Sequence, residues 1–486
     1  MEPVYVQLEK YKRGLITRRE YFKRLAALGV ATPAIMSWLE TGGVSAAQET
    51  ATIAPEFPPQ DEIDSKPIVF RGWAYEPTVV EDNVRIFEEQ FTENVDYQTV
   101  SGDYDLIIDT MQINNEPLDM FYGHEIGIGR YILQGQLLDY SSWWDFERAT
   151  AEMLPAFTEA WTWRGDGKLY GLPYFSSVRG TIMVNTAYTE KAGLDTVQLT
   201  TWDDFYDLCR QMKADGVVEY PLLNHWFATP WATAWQFLWE NHNRGIALWD
   251  FEDAYKPLFG GDHESTKTLE TWAGLFADGI HPESSFNMSE GGYVDGFATG
   301  DFMFSPQQTY DGKRLNDPAM SQIAGLVDFA TPPDGAPWGK IEQGGYLLPK
   351  RERTDQQLAR VYRHNSFFGY RDINDELFVA KRWAIDHALN SSYSAILEDP
   401  DVLAAYAEWM PGGERQFNDM GQYFRQAVWN PFHQCPWFLE WQIPAKEELE
   451  SAILGRKSPQ DAMNDLASAS NELWERYRDV ILSNQG

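Results

Sequence analysis

The chain has 486 residues, with 73 Asp and Glu against 39 Lys and Arg, a formal net charge of -34 and an isoelectric point near 4.5. That balance argues against nucleic acid, whose phosphates need a positive field, and against stable adhesion to an anionic membrane surface. The length allows two or three domains or lobes around a large core, and the 20 Trp and 24 Tyr exceed what such a core needs; flat amphipathic rings are what a polyhydroxylated ligand stacks on.

At the N-terminus, the basic segment "TRREYFK" (Thr17 to Lys23) precedes a mildly apolar stretch from Leu25 to Leu39, then the small residues of "TGGVSAA". Basic region, short apolar region and small-residue site are the layout of an export signal, and the span is too short and too weakly apolar for a membrane helix. The string is similar to the twin-arginine export motif, with Thr17, Arg18, Arg19 and Lys23 matching and Tyr21 at the aromatic position. Residues 1–47 are therefore expected to be a signal peptide, cleaved after Ala46 or Ala47, without a lipid anchor because no cysteine stands near the site. The proline-rich acidic run 48–65 reads as a disordered linker.

A short strand is expected at Ile68 to Phe70, then an amphipathic helix with Val80, Val84, Phe87 and Phe91 on one face. A β-like run from Val95 to Val100, an acidic helical stretch and the strand-like "LDMFYG" (Leu118 to Gly123) follow. This β-α-β alternation predicts an α/β lobe with a mostly parallel sheet. "GKLYGLPYFSSVRGTIMVN" reads as two extended segments joined near Gly171 to Ser177. Thr201, Asp204 and Gly216 bracket a well-signalled helix, whose periodic Trp202, Phe205, Cys209 and Met212 make Cys209 a buried thiol. A Trp-rich helical middle is expected from Trp226 to Trp249, then strands in "GFATGDFMFSPQ" and "GGYLLPK". A last helix begins at Ser458 and Pro459, with Met463, Leu466, Leu473 and Tyr477 inward.

The known catalytic patterns are missing. "GRKSP" at Gly455 lacks the phosphate-loop glycine spacing, "GHEIG" at His124 has no second His one turn later, and no G-x-S-x-G elbow occurs. Two distant cysteines, Cys209 and Cys435, offer no metal-site spacing. A carboxylate pair for glycoside hydrolysis remains open among 73 acids, but no acid is singled out by its context. Instead, aromatic and polar residues stand just after predicted strands, where open α/β sheets bind ligands: Trp73 and Tyr75 after the first, Tyr122, His124 and Glu125 after "LDMF".

The order of segments resembles the extracellular solute-binding proteins of bacterial ABC importers, in the sugar-binding family that includes maltose-binding protein. "GKLYGLPYFSSVRGTIMVNTAYTEKAGLD" (Gly167 to Asp195), followed by a "TW" helix, carries most of the likeness; "GFATGDFMF", "EQGGYLLPK", "LEDPDVLAAY" and "LGRKSPQDAMNDLA" follow in family order. The resemblance implies a two-lobe (Venus flytrap) α/β fold, lobe 1 from 66–173 plus 346–390 and lobe 2 from 174–345 plus 391–486. Crossing segments are expected near Pro173 to Ser177, Gly344 to Tyr346 and Ser391. It also implies a carbohydrate held between the lobes by Trp73, Tyr75, Glu76, Tyr122, His124 and Glu125 from lobe 1, Tyr174 and Arg179 at the hinge, and Trp226 and Trp231 from lobe 2. Gly345 and Tyr346 lie on the Gly-Gly strand. Gln307 and Gln308 stand where the family often has a stacking Trp, and Trp437 with Phe438 matches a late aromatic contact. The implied protein is a monomeric, non-enzymatic periplasmic subunit without cofactor. Its partners are the twin-arginine export machinery and an ABC permease with its cytoplasmic ATPase. Two other ligand classes stay open: Arg71 and Arg179 suit an acidic sugar or sugar phosphate, and Glu76 and Glu125 with aromatics suit a polyamine. An exported polysaccharide-active enzyme is the alternative of a different class. Folding in the reducing cytoplasm before export favours free thiols.

Overall fold

The computed structural model describes residues 66–102 and 104–483; the expected signal peptide and linker lie outside the described residues. Packing divides the described chain into two units, 66–121 with 349–352, and 122–348 with 353–483.

The first unit is a small parallel sheet with two helices. Strand β1 (Ile68–Gly72) pairs in parallel with β2 (Val95–Thr99), from Ile68 opposite Val95 to Gly72 opposite Thr99, and with the start of β3 (Met120–His124) through Phe70 and Met120. Helix α1 (Pro77–Phe91) starts on a proline, which needs no N–H partner in the first turn, and buries Val80, Val84 and Phe87 as the 3.6-residue spacing predicts. Helix α2 (Tyr104–Ile113) is the expected acidic helical stretch. Arg71 is already engaged: its guanidinium donates to the Asp96 carboxylate at 2.8 Å and to the carbonyls of Asp96 and Phe70 at 2.7 and 3.0 Å. The hydrogen bond from Arg71 holds the Asp96 carboxyl below its usual range.

In the second unit, β4 (Leu172–Asn185) is buried along all 14 residues. Antiparallel to it run β10 (Lys340–Leu347) on one side and β8 (Phe302–Gln308) on the other; β5 (Tyr220–Leu222) joins β8 in parallel, and β9 (Val327–Phe329) pairs with the end of β4. The join expected near Gly171 to Ser177 is thus replaced by one unbroken strand. The polar residues that read as a turn are satisfied inside the ladder, Ser177 Oγ against Thr309 Oγ1 at 3.0 Å and Ser176 Oγ against Gln343 Oε1 at 3.4 Å, so they end no strand. The irregularity falls later, at Gly180, where φ is +90° and the register with β8 shifts between Arg179 and Thr181.

The helices of this unit include α3 (Trp202–Ala214), α4 (Pro230–Asn243), α5 (Glu290–Ala298), α6 (Asp355–Gly369), α7 (Phe438–Ile453) and α8 (Pro459–Ser483). Thr201 Oγ1 accepts from Asp204 N and Ser458 Oγ from Asp461 N, both at 3.1 Å, so both expected N-caps are in place. The Trp-rich middle is helical only over α4: Trp226 precedes the Thr229-Pro230 start, and Trp249 lies beyond Gly245 in the two-residue β6 (Trp249–Asp250), paired with β7 (Lys256–Pro257). Gly245, at φ +75°, reverses the chain where a helix cannot continue. Buried Met463, Leu466 and Leu473 of α8 face inward, and Trp441 of α7 donates to Ser470 of α8 at 3.0 Å. Cys209 and Cys435 are free and fully buried, and burial pushes both thiols up. Among the described residues no helix is long and apolar enough to cross a membrane, and no group of three His, Cys, Asp or Glu could hold a metal ion.

Candidate ligand-binding site

The antiparallel register of β4 and β10 sets Arg179 opposite Lys340, with Ser177 opposite Glu342. Lys340 and Glu342, two residues apart on one strand, project from the same face, and Glu342 is the diagonal neighbour of Arg179. The Arg179 guanidinium holds the Glu342 carboxylate in a fork, through Nη2 to Oε1 at 3.0 Å and through Nε to Oε2. Its other N–H groups reach His225 Nε2 at 2.8 Å and Glu290 Oε1 at 3.2 Å. His225 Nδ1 faces the Ala232 carbonyl at 2.9 Å, which assigns the ring proton to Nδ1 and leaves Nε2 as acceptor. Two rings of α4, one turn apart, complete the setting: the guanidinium carbon stands 4.7 Å from the Trp231 ring centre and 5.5 Å from that of Trp235. Burial alone would raise the Glu342 carboxyl, but the charge and hydrogen bonds of Arg179 prevail and hold it at about 2. Burial, reinforced by Arg179, keeps His225 well below its ordinary value and hence neutral.

Beside this group lies a second, looser pair. Glu125, just past β3, and Lys340 are both fully buried, with Lys340 Nζ 3.9 Å from Glu125 Oε1 and 4.4 Å over the Trp235 ring. Glu125 Oε2 accepts from the Gln343 N–H at 3.2 Å, whereas Glu125 Oε1 and Lys340 Nζ have no hydrogen-bond partner. The same is true of Trp235 Nε1, Gln308 Oε1 and His433 Nε2, all buried. His433 faces Trp235 at 6.3 Å, and Gln308 stands opposite Arg179 on β8. Each buried donor or acceptor left unmade costs about 1–3 kcal/mol; Lys340 Nζ, Trp235 Nε1 and His433 Nε2 meet at the Trp235 ring with Glu125 Oε1 beside Lys340, and a polar guest there would satisfy them.

Burial pushes the Glu125 carboxyl up to about 8 despite Lys340, with Glu342 adding to the rise, and burial lowers Lys340. A carboxyl raised in the folded chain keeps a proton that the unfolded chain gives up. Its contribution to stability therefore declines as pH climbs from 4.5 to about 8; lowered Lys340 acts in the opposite sense on the alkaline side. Glu125→Gln isolates the carboxyl: urea titrations are expected to show the variant gaining stability over wild type progressively across that window, and a constant difference would refute this assignment.

The family model for bacterial extracellular solute-binding proteins matches residues 75–356, more than half of the chain. The chain belongs to that family. This solute-binding protein also shares its fold with solved relatives at low identity. Against the cyclic alpha-maltosyl-1,6-maltose binding protein of Arthrobacter globiformis it has 16% identity and a TM-score of 0.68, covering 85% of this chain and 100% of the other. Maltose-bound MalE3 of T. maritima gives 17%, 0.66, 84% and 99%, and an ABC transporter solute-binding protein of Agrobacterium radiobacter in complex with ribitol gives 16%, 0.65, 84% and 100%. The α/β fold is thus that of the two-lobed periplasmic binding proteins. No curated protein matches the chain.

Of the residues read from the sequence of this solute-binding protein, the structure brings Glu125, Arg179, Trp231 and Gln308 together; Gln307, next along β8, donates to Ser305 Oγ at 2.9 Å. Tyr122, Tyr174 and Tyr346 form a buried trio of their own, with ring centres 4.5, 5.4 and 5.8 Å apart, and His124 is exposed at the end of β3. Gly345 leaves room for Trp161, which a Cβ there would meet at 2.4 Å. Trp73 packs on Tyr104 at 5.8 Å, with Tyr75 and Glu76 exposed after it in the first unit. Trp226 is wedged among Trp272, His281 and Phe286. Trp437 and Phe438 lie in a core cluster with Phe432, Trp249 and Trp441, where Phe438 also touches His433. Sequence reasoning missed Lys340, Glu342, His225, Trp235 and His433. The alternation Lys340-Ile341-Glu342 ahead of the Gly-Gly pair, and the one-turn spacing of Trp231 and Trp235, were the signals for three of them.

Proposed function

We propose that this protein is the substrate-binding subunit of an ABC importer, that it works in the periplasm after export by the twin-arginine signal, and that its ligand is a carbohydrate handed on to the permease. The observation that carries the ligand class is the buried set of unmatched donors and acceptors around Trp231 and Trp235. A sugar ring offers an apolar C–H face to the indoles and hydroxyls that both donate and accept. Its structural relatives, bound to maltose or ribitol or binding cyclic alpha-maltosyl-1,6-maltose, support the same reading. In this reading the two lobes expected from the sequence close on the ligand, and contacts made only in the closed state drive closure. Trp73, Tyr75, Glu76, Tyr122 and His124 serve the first lobe, and Tyr174, Gly345 and Tyr346 the crossings. A thermal-shift screen of sugars and polyols, followed by calorimetry, tests it. Trp231→Ala is expected to weaken the best ligand by about 1–3 kcal/mol with the fold intact. Conversion of the ligand to a product, or no stabilisation by any carbohydrate, would overturn the proposal.

A further inference from the structure

Export, on which that reading rests, also brings the chain to enzymes outside the membrane, and the structure selects where one could act. Two Asn-x-Ser/Thr triplets, the acceptor sequence of N-linked glycosylation, occur in the chain: Asn287-Met288-Ser289 and Asn390-Ser391-Ser392. A chain that crosses already folded, as the twin-arginine route implies, offers only its surface to an enzyme on the far side. Asn390 fails that condition. It is buried, with Nδ2 donating to the Tyr406 hydroxyl at 2.7 Å and approaching Met420 Sδ at 3.4 Å, and Ser391 and Ser392 are buried beside it.

Asn287 meets it. The residue is exposed at the end of the 3-10 turn Glu283–Asn287, and its side chain forms no hydrogen bond among the described residues. From there the chain runs extended, with Met288 at φ −73°, ψ 143° and Ser289 at φ −72°, ψ 171°. Hydrogen bonds from Met288 N to Ser285 O at 2.9 Å and from Ala228 N to Met288 O at 2.8 Å fix that course. Ser289 caps helix α5, its Oγ accepting from Gly292 N at 3.0 Å, while its hydroxyl proton goes to no described residue. A Cβ at Gly291 would meet nothing within 4 Å, so the approach is open. The free amide and the hydroxyl two positions on are thus presented together at the surface. We propose that Asn287 is an N-glycosylation site, modified after export by a membrane oligosaccharyltransferase that draws on a lipid-phosphate-linked glycan. Asn287 Nδ2 forms a bond to the anomeric carbon as the C–O bond to the lipid phosphate breaks; the phosphate leaves with the electron pair, and Nδ2 gives one proton to the enzyme.

Mass spectrometry of the protein isolated from the envelope of the cells that make it tests this. Trypsin cuts after Lys267 and Lys313 and after Arg382 and Arg415, so the two triplets fall on separate peptides, 268–313 and 383–415. Peptide 268–313 is expected to carry the added mass of a glycan and to release sugar fragments, and peptide 383–415 is expected to be bare. Asn287→Gln and Ser289→Ala should each abolish the added mass, whereas Ser289→Thr, which keeps both the hydroxyl and the cap, should retain it. Asn287→Gln breaks no described side-chain hydrogen bond and serves alone should Ser289→Ala fail to fold. A bare peptide 268–313 in protein that has crossed the membrane overturns the site and leaves the importer reading standing. A glycan on Asn390 overturns selection by the folded surface. Wild-type protein confined to the cytoplasm overturns the export reading, and this inference with it.

Discussion

Arg179→Met is expected to lower the unfolding free energy by about 3–5 kcal/mol, the usual consequence of leaving one member of a buried ion pair without its partner. Glu342 is buried on β10 and receives two hydrogen bonds from this guanidinium, so its carboxylate would remain inside without its hydrogen-bonded partner, with only the weaker charges of Lys340 and His124 acting on it. The pH dependence identifies the cause. In the wild-type chain the Glu342 carboxyl is held at about 2 against an ordinary 4.5, so its stabilising contribution is complete above 4.5 and disappears as pH falls through 2. Without Arg179 the balance reverses, burial dominates and the carboxyl rises, so the variant should lose more at pH 7 than at pH 4. Urea midpoints at the two pH values measure both effects, and a loss independent of pH would show that packing against Trp231, not the ion pair, accounts for it. The double change with Glu342→Leu should recover a large part of the loss, since well-packed apolar replacement of a buried pair is often close to neutral.

Trp437→Ala is expected to cost about 3–5 kcal/mol of stability, the range for deleting a large aromatic from a core. The ring is fully buried, 4.9 Å from Phe432 and 5.6 Å from Trp249, which in turn stacks on Phe432 at 3.6 Å. The cavity would open inside three interlocked rings that cannot collapse without moving α7. Ligand affinity measured well below the melting temperature should be unchanged. Loss of affinity with an unaltered melt would instead make Trp437 a ligand contact, as its position in the sequence first suggested.

That contrast shows what a sequence can convey here. Periodicity places α1 and α3, because each has a single apolar face and a cap or proline at its start, and the alternation of strand and helix from Ile68 to Gly123 is local enough to read directly. The unbroken course of β4 was not legible: its serines look like a turn, and their satisfaction depends on Thr309 and Gln343, more than 130 residues away. The same holds for the site. Glu125 was found by its place after a predicted strand and Arg179 by the hinge position the family resemblance implies, but what makes Arg179 unavailable is Glu342, 163 residues on. Trp226 and Trp231, equivalent in the sequence, differ because the helix start at Pro230 sends one ring toward Trp272 and the other toward Arg179. Whether an aromatic residue is a platform or a core member depends on its neighbours across the fold.

The two cysteines, buried in separate parts of the second unit with their sulfurs held protonated, bear on how this molecule meets chemical reagents. Only a thiolate attacks an electrophile, and neither sulfur can become one without leaving its surroundings. Alkylation of this protein is therefore paced by the opening of its structure. Cys209 reports release of α3, and Cys435 reports release of the segment that leads into α7, so the rates of the two modifications give a clock for each region's exposure without any introduced label.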